Sequence, residues 1–149
     1  MFNMVTRKHI RWVWLAALLI AAASAVPAEA ARLTATIDLS AQRMDVSVGG
    51  RLLHSWPVSS GRKGYATPTG SYRPTRMHRR YYSRKYDNAP MPHAIFFRGG
   101  YAIHGTGETG KLGRPASHGC VRLHPANARA LYNLIKQHGR GNTSIRVRR

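Results

Sequence analysis

Between Leu33 and Arg149 only one stretch, Pro125 to His138, spaces its apolar residues for a helix; the rest alternates with period two or is broken by glycine and proline. That distribution predicts a mostly β domain with one substantial helix near its C-terminal end. Leu33, Ala35, Ile37 and Leu39 alternate with polar residues, and Met44, Val46 and Val48 resume the alternation after a break at residues 40–42. Gly49-Gly50 supplies the positive backbone angles of a tight hairpin, and Leu52 to Val58 reads as the returning strand, ending near Pro57. From Ser59 to Pro92, glycines and prolines cut the chain into turns and short strands. Ala94 to Phe97 and Tyr101 to Ile103 are β-prone and joined by Gly99-Gly100. In the helix, Pro125 suits the first turn, Ala128, Leu131, Tyr132 and Ile135 share one face, and Gly139 closes the end. Ile145 and Val147 alternate with charges as a last strand.

The N-terminus has a different character. Arg7, Lys8 and Arg11 precede an apolar run of about 15 residues, Trp12 to Val26, and Ala28-Glu29-Ala30 follows with small residues at a spacing signal peptidase reads. A basic start, apolar middle and small-residue exit predict a secretory signal peptide over residues 1–30 and a mature domain over 31–149. The apolar run falls short of the roughly 20 residues that span a bilayer, so an uncleaved anchor is the weaker reading and no transmembrane segment is expected after cleavage. The expected location is the periplasm or cell envelope.

Charge is interpreted in that light. The chain carries 24 Lys+Arg against 5 Asp+Glu, a formal net charge of +19, and loss of Arg7, Lys8, Arg11 and Glu29 lowers it only to about +17. Taken alone, such a field points to nucleic acid, and the stretch Arg73 to Lys85 interleaves basic residues with tyrosines as single-strand binders do. In an exported chain the polyanions met are peptidoglycan carboxylates and anionic envelope polymers. Nucleic acid is therefore not an expected partner, and the basic stretch reads as a solvated loop or an envelope contact.

One cysteine, Cys120, is present, so an exported form has no internal disulfide. Its neighbourhood is rich in chemistry: Tyr101-Ala-Ile-His104-Gly105-Thr106, then Gly113, then Ser117-His118-Gly119-Cys120-Val121-Arg122. A thiol becomes a strong nucleophile as thiolate, favoured by nearby positive charge and a base. His104 can take the thiol proton and return it to a leaving amine. Main-chain N–H groups of residues 118–120 can donate to an oxyanion. Read from the residues alone, His104 also fits a satisfied core histidine, His118 a structural hydrogen-bond partner, and Cys120 a buried inert thiol. Cys120, His118 and His124 form no standard zinc spacing, so no metal is expected.

The double motif His104-Gly-Thr106 and Ser117-His-Gly-Cys-Val-Arg122 resembles that of the L,D-transpeptidase (YkuD-type) catalytic domain. Flanking pieces share the similarity: residues 38–44, Val58-Ser-Ser-Gly61, Thr67-Pro-Thr-Gly-Ser-Tyr72 and Met91-Pro-His-Ala-Ile-Phe-Phe97. The resemblance implies a β-sandwich-like fold, Cys120 as nucleophile, and His104 as base with the Gly105 carbonyl orienting its ring. Ser117 and His118 would line the site, Gly119 and Cys120 would offer oxyanion donors, and Arg122 would position or charge the pocket. No cofactor is implied. The implied partner is a peptidoglycan stem peptide: Cys120 would acylate on the L-centre of diaminopimelate, release D-Ala, and pass the acyl group to an amine. Hydrolysis by the same machinery, and a wall-binding protein without turnover, are the alternatives. Arg122 stands where many cross-linking members carry Asn.

Overall fold

The computed structural model describes residues 31–149, so the signal peptide expected at residues 1–30 lies outside the described residues. The opening alternation becomes an antiparallel meander of β1 (Leu33–Asp38), β2 (Arg43–Val48) and β3 (Arg51–Pro57). Leu33, Ala35, Ile37, Met44 and Val46 are fully buried while their neighbours are more open, the pattern of a sheet with one covered face. At the β2–β3 turn, Gly49 and Gly50 take φ of +57° and +80°, a pairing that matches the twist of a two-residue hairpin. The glycine- and proline-rich middle contains β4 (Gly70–Tyr72), β5 (Arg76–His78), β6 (Tyr82–Ser83) and β7 (Ala89–Pro90). Next come β8 (Ala94–Arg98), β9 (Tyr101–Gly105), β10 (Val121–Leu123), α1 (Pro125–His138) and β11 (Thr143–Arg148).

Two sheets result, ordered β3-β2-β1-β11-β4 and β10-β9-β8-β5, with β6 and β7 paired separately as a hairpin. The last strand joins the first, since β11 runs parallel to β1 with Leu33 opposite Thr143 and Ile37 opposite Val147. Ile37, Met44 and Ile145 from one sheet meet Ile95, Ile103 and Val121 from the other in a single core. The helix closes that core with Ala128, Leu131, Tyr132 and Ile135, the face its sequence spacing predicts. Leu131 and Ile135, fully buried, each contribute about 1.5–3 kcal/mol. His124 caps the helix, its Nδ1 accepting from the Ala126 N–H at 3.2 Å, and Gly139 closes it at φ +89°, its N–H donating to the Ile135 carbonyl at 2.8 Å.

Alternation along the second sheet determines where a site can form. Ile95, Phe97, Ile103 and Val121 point into the main core, whereas Ala94, Phe96 and Ala102 point to the opposite face. There they meet Met91, Tyr81 and Cys120 in a small apolar patch. Strand β9 runs through His104 and Gly105, beyond the end expected from the sequence, because β10 lies alongside and pairs with both. Among the described residues no helix is long and apolar enough to cross a membrane.

Candidate active site

Cys120 immediately precedes β10, which runs parallel to β9 with Val121 opposite Ile103 and Arg122 opposite His104. Parallel neighbours need a crossover of a dozen or more residues, and residues 106–120 provide it, relieved by one short 3₁₀ turn at Thr109–Lys111. This return brings Cys120 beside Ala102, whose backbone N–H faces the sulfur and favours its charged form. Sγ also lies 3.9 Å from the Gly100 carbonyl oxygen. His104, two residues past Ala102 and on the same strand face, is therefore the diagonal neighbour of Cys120.

The His104 ring is 6% exposed, and its Nδ1 lies 2.7 Å from the Gly105 carbonyl oxygen. A carbonyl only accepts, so Nδ1 carries the proton and Nε2 presents a lone pair. Burial pushes the imidazole pKa down to about 4; the Gly105 carbonyl opposes that shift and the Arg122 charge adds to it. Burial likewise raises the Cys120 thiol above its ordinary value, against the Ala102 N–H and the Arg122 charge. The resting pair is thus a neutral imidazole and a neutral thiol.

The turn bearing Cys120 is held from two sides. Ser117 Oγ accepts from the Gly119 N–H at 3.0 Å and donates to the Cys120 carbonyl at 2.5 Å. Thr67 Oγ1 donates to the Gly119 carbonyl at 2.8 Å and accepts from the Gly61 N–H at 3.0 Å. Residues 59 and 60 brace the same turn: Ser59 and Arg122 exchange backbone bonds at 3.0 and 2.9 Å, and the Ser117 N–H reaches the Ser60 carbonyl at 2.9 Å. Gly119 has φ +119°, and a Cβ there would come within 2.7 Å of the Tyr101 ring. Because Gly119 spends its N–H on Ser117, it is not the oxyanion donor expected from the motif. The Cys120 N–H has no acceptor among the described residues.

A pocket of about 550 Å³ opens over this turn, with Cys120, His104, Ser117, His118 and Arg122 all in its lining. Its opposite wall is the β6–β7 hairpin, whose turn residues Asp87 and Asn88 adopt φ of +48° and +56°. His118 joins the two walls. Its ring stacks on Tyr86 of the hairpin, centroids 4.3 Å apart and planes 15° off parallel, and meets the Tyr65 edge at 4.8 Å. Desolvation, then the Arg62, Arg122 and Lys85 charges, lower the His118 pKa. Arg122 is paired to Glu108 at 2.9 Å, and Glu108 also takes Lys111 at 2.6 Å. Those bonds hold the Glu108 carboxyl below its usual range, the Lys111 hydrogen bond foremost.

Cys120, His104, Ser117, His118 and Arg122 therefore line one pocket, while Gly105 and Gly119 take part in the hydrogen bonds around it through their backbones. His124, weighed with Cys120 and His118 as a metal ligand, is occupied as the helix cap. Thr67, Glu108, Tyr86 and Arg76 were not anticipated at the site. Thr67 lies in the flanking segment 67–72, and Arg76 in the basic stretch 73–85 read as a solvated loop or an envelope contact.

Comparison with known proteins agrees with this arrangement. The chain matches the sequence model of the YkuD family, described as the L,D-transpeptidase catalytic domain, over residues 32–147. It is similar to the YkuD protein of Bacillus subtilis (strain 168), 23% identical over 103 residues, covering 66% of this chain and 58% of that protein. Among solved structures it is similar to an L,D-transpeptidase from Mycobacterium smegmatis, with TM-score 0.71, 26% identity, and coverage of 80% of this chain and 59% of the other. A second is an L,D-transpeptidase from Xylanimonas cellulosilytica DSM 15894, with TM-score 0.68, 27% identity, and coverage of 82% and 63%. A Mycobacterium tuberculosis H37Rv L,D-transpeptidase shares the fold, with TM-score 0.72, 23% identity, and coverage of 80% and 58%. The chain spans less than two thirds of the length of each of these relatives.

Proposed function

Since the chain belongs to the L,D-transpeptidase (YkuD) catalytic-domain family, we propose that it is an exported cysteine acyltransferase acting on peptidoglycan stem peptides. The observation that carries this reading is the His104 ring, locked by Nδ1 to the Gly105 carbonyl and offering Nε2 to the pocket it shares with Cys120. A tetrapeptide stem is the proposed donor. His104 Nε2 takes the thiol proton as sulfur attacks the carbonyl at the L-centre of diaminopimelate. The Cys120 N–H donates to the oxyanion. Collapse breaks the C–N bond to D-Ala, whose amine receives the proton from His104, leaving a thioester. An acceptor amine then attacks the thioester, gives its proton to His104, and expels the sulfur, which recovers that proton. No cofactor takes part in this sequence.

A neutral imidazole beside a neutral thiol supports general-base attack: the proton leaves sulfur as the S–C bond forms, and no buried ion pair must be sustained beforehand. The strongly positive surface suits an acidic wall and its anionic polymers, met after export through the N-terminal segment. The test is incubation of residues 31–149, with and without Cys120→Ala, with tetrapeptide muropeptides, followed by mass spectrometry. Cysteine-dependent dimers that have lost D-Ala establish transpeptidation. Tripeptide monomers point to hydrolysis, and no Cys120-dependent product from a folded sample leaves only binding.

A further inference from the structure

Four residues form one row across the second sheet on the pocket face. The β5–β8–β9 registers set Arg76 opposite Phe96 and Phe96 opposite Ala102, and Cys120 follows beside Ala102 at the start of β10. Arg76 is exposed, but its guanidinium packs on aromatic rings instead of standing clear of the sheet. It lies over the Phe96 ring, 3.8 Å from the centroid, and 5.6 Å from the Tyr81 centroid, so it turns along the row toward Cys120 and lines the same pocket. Stacking on aromatic faces leaves the edge N–H groups of a guanidinium free for an anion. The pocket contains one carboxylate, Glu108, and that is already divided between Arg122 and Lys111. Among the described residues Arg76, Arg84 and Lys85 have no carboxylate partner, although all three line the cavity. A ring-stacked cation without a carboxylate partner, at the rim of an apolar-floored pocket, is a receptor for a negative group on the ligand.

Distance identifies the group. Phe96 is two strand spacings from Cys120, roughly 10 Å. From the carbonyl that Cys120 would attack, the side chain of a diaminopimelate residue reaches its distal carboxyl through six single bonds, roughly 8 Å when extended. Resting on the donor chemistry proposed above, we propose that Arg76, assisted by Arg84 and Lys85, is a specificity site for the free carboxylate at the D-centre of the donor diaminopimelate. Stems bearing an amide there are then poor donors.

The experiment compares tetrapeptide stems carrying the D-centre carboxylate, the D-centre amide, or a D-centre carboxylate with the glutamate α-carboxyl amidated. With the wild-type chain the D-centre amide should lower kcat/KM by about 10- to 100-fold, the range for one charge-assisted contact. In Arg76→Gln that ratio should fall to within about twofold, with Arg76→Lys intermediate. Equal use of acid and amide by the wild type overturns the proposal, as does a ratio unchanged in a folded Arg76→Gln. Discrimination that follows the glutamate carboxyl overturns it too. Should Arg76→Gln not fold, the Arg84→Gln/Lys85→Gln pair must reduce the ratio for the proposal to stand. Calorimetric binding of the same stems to Cys120→Ala separates this site from the reaction. If no stem is turned over but acid still binds more tightly than amide through Arg76, the transpeptidase reading fails and the carboxylate site survives.

Discussion

Thr67 and Gly119, 52 residues apart in sequence, are joined by a 2.8 Å hydrogen bond from the threonine hydroxyl to the glycine carbonyl. The same hydroxyl accepts from the Gly61 N–H, so one buried oxygen ties the nucleophile turn to the segment that braces it. Thr67→Val keeps the shape and removes both bonds, leaving a buried carbonyl and a buried N–H without a partner. A loss of about 2 kcal/mol in chemical unfolding is expected. A displaced Cys120 should lower acylation about 10-fold or more. Thr67→Ser should restore most of both, which a purely volumetric effect of the threonine would not allow.

How much of this was legible in the sequence depends on the separation of the partners. Strands β1 and β2 show an alternation that burial requires, and the helix displays its buried face, its Pro125 start and its Gly139 stop within fifteen residues. Cys120, His104, Ser117 and Arg122 were equally readable, because the crossover that unites them is contained in residues 104–122. The β6–β7 hairpin was not. Its strands are two residues each, too short for any periodicity, and only the positive φ of Asp87 and Asn88, a conformation these residue types tolerate, marks the turn. Thr67, Arg76 and Tyr86 reach the site through pairings between distant segments, and no local pattern encodes those.

Gly119 faces two obstacles to substitution at once. Its φ of +119° disfavours any side chain, and a Cβ would stand 2.7 Å from the Tyr101 ring. Gly119→Ala should therefore cost about 2–3 kcal/mol or deform the turn, with acylation by a stem substrate reduced about 100-fold. Adding Tyr101→Leu removes the ring but not the backbone strain. The double variant should recover stability only in part, as measured by thermal melts beside the single changes.

Burial of His104 predicts an unusual acid limb. With the imidazole lowered to about 4, kcat/KM for acylation should hold through pH 6 and fall only as the pH drops through about 4. Stability follows the same titration. The unfolded histidine binds its proton near 6.5 and the folded one near 4, so between those values the unfolded state holds more protons and stability rises with pH. Falling from pH 6.5 to 4 should cost on the order of 3 kcal/mol from this group. A folded His104→Gln variant should show a flatter stability profile in that window. The thiol moves the opposite way from a primed thiolate: alkylation of Cys120 by iodoacetamide should still be climbing at pH 9.

The Tyr86–His118 stack is the aromatic bridge between the hairpin wall and the nucleophile turn. Tyr86→Ala removes a contact worth about 0.5–1.5 kcal/mol and should loosen the hairpin over the pocket. The expected signature is a several-fold rise in KM with a smaller change in kcat, and faster amide exchange in residues 82–90. Tyr86→Phe keeps the ring and should behave as the parent chain does.

Arg122 acts on both reacting groups in the same direction. Its charge lowers the His104 pKa and lowers the Cys120 pKa, while Glu108 holds the guanidinium at 2.9 Å. Arg122→Gln should therefore raise both: the acid limb of kcat/KM moves above about 4, and the pH dependence of Cys120 alkylation moves further up. A change confined to the thiol would mean that Arg122 works by local packing and not by its field. Raising salt should narrow the difference between Arg122→Gln and the parent only slightly, because both targets are largely shielded from solvent and the Debye length of about 8 Å applies to exposed charges. Arg122→Lys, which keeps the charge and loses the planar fork, should hold the acid limb near its parent position. If it too shifts upward, the planar pairing with Glu108, and not charge alone, is what tunes the pair.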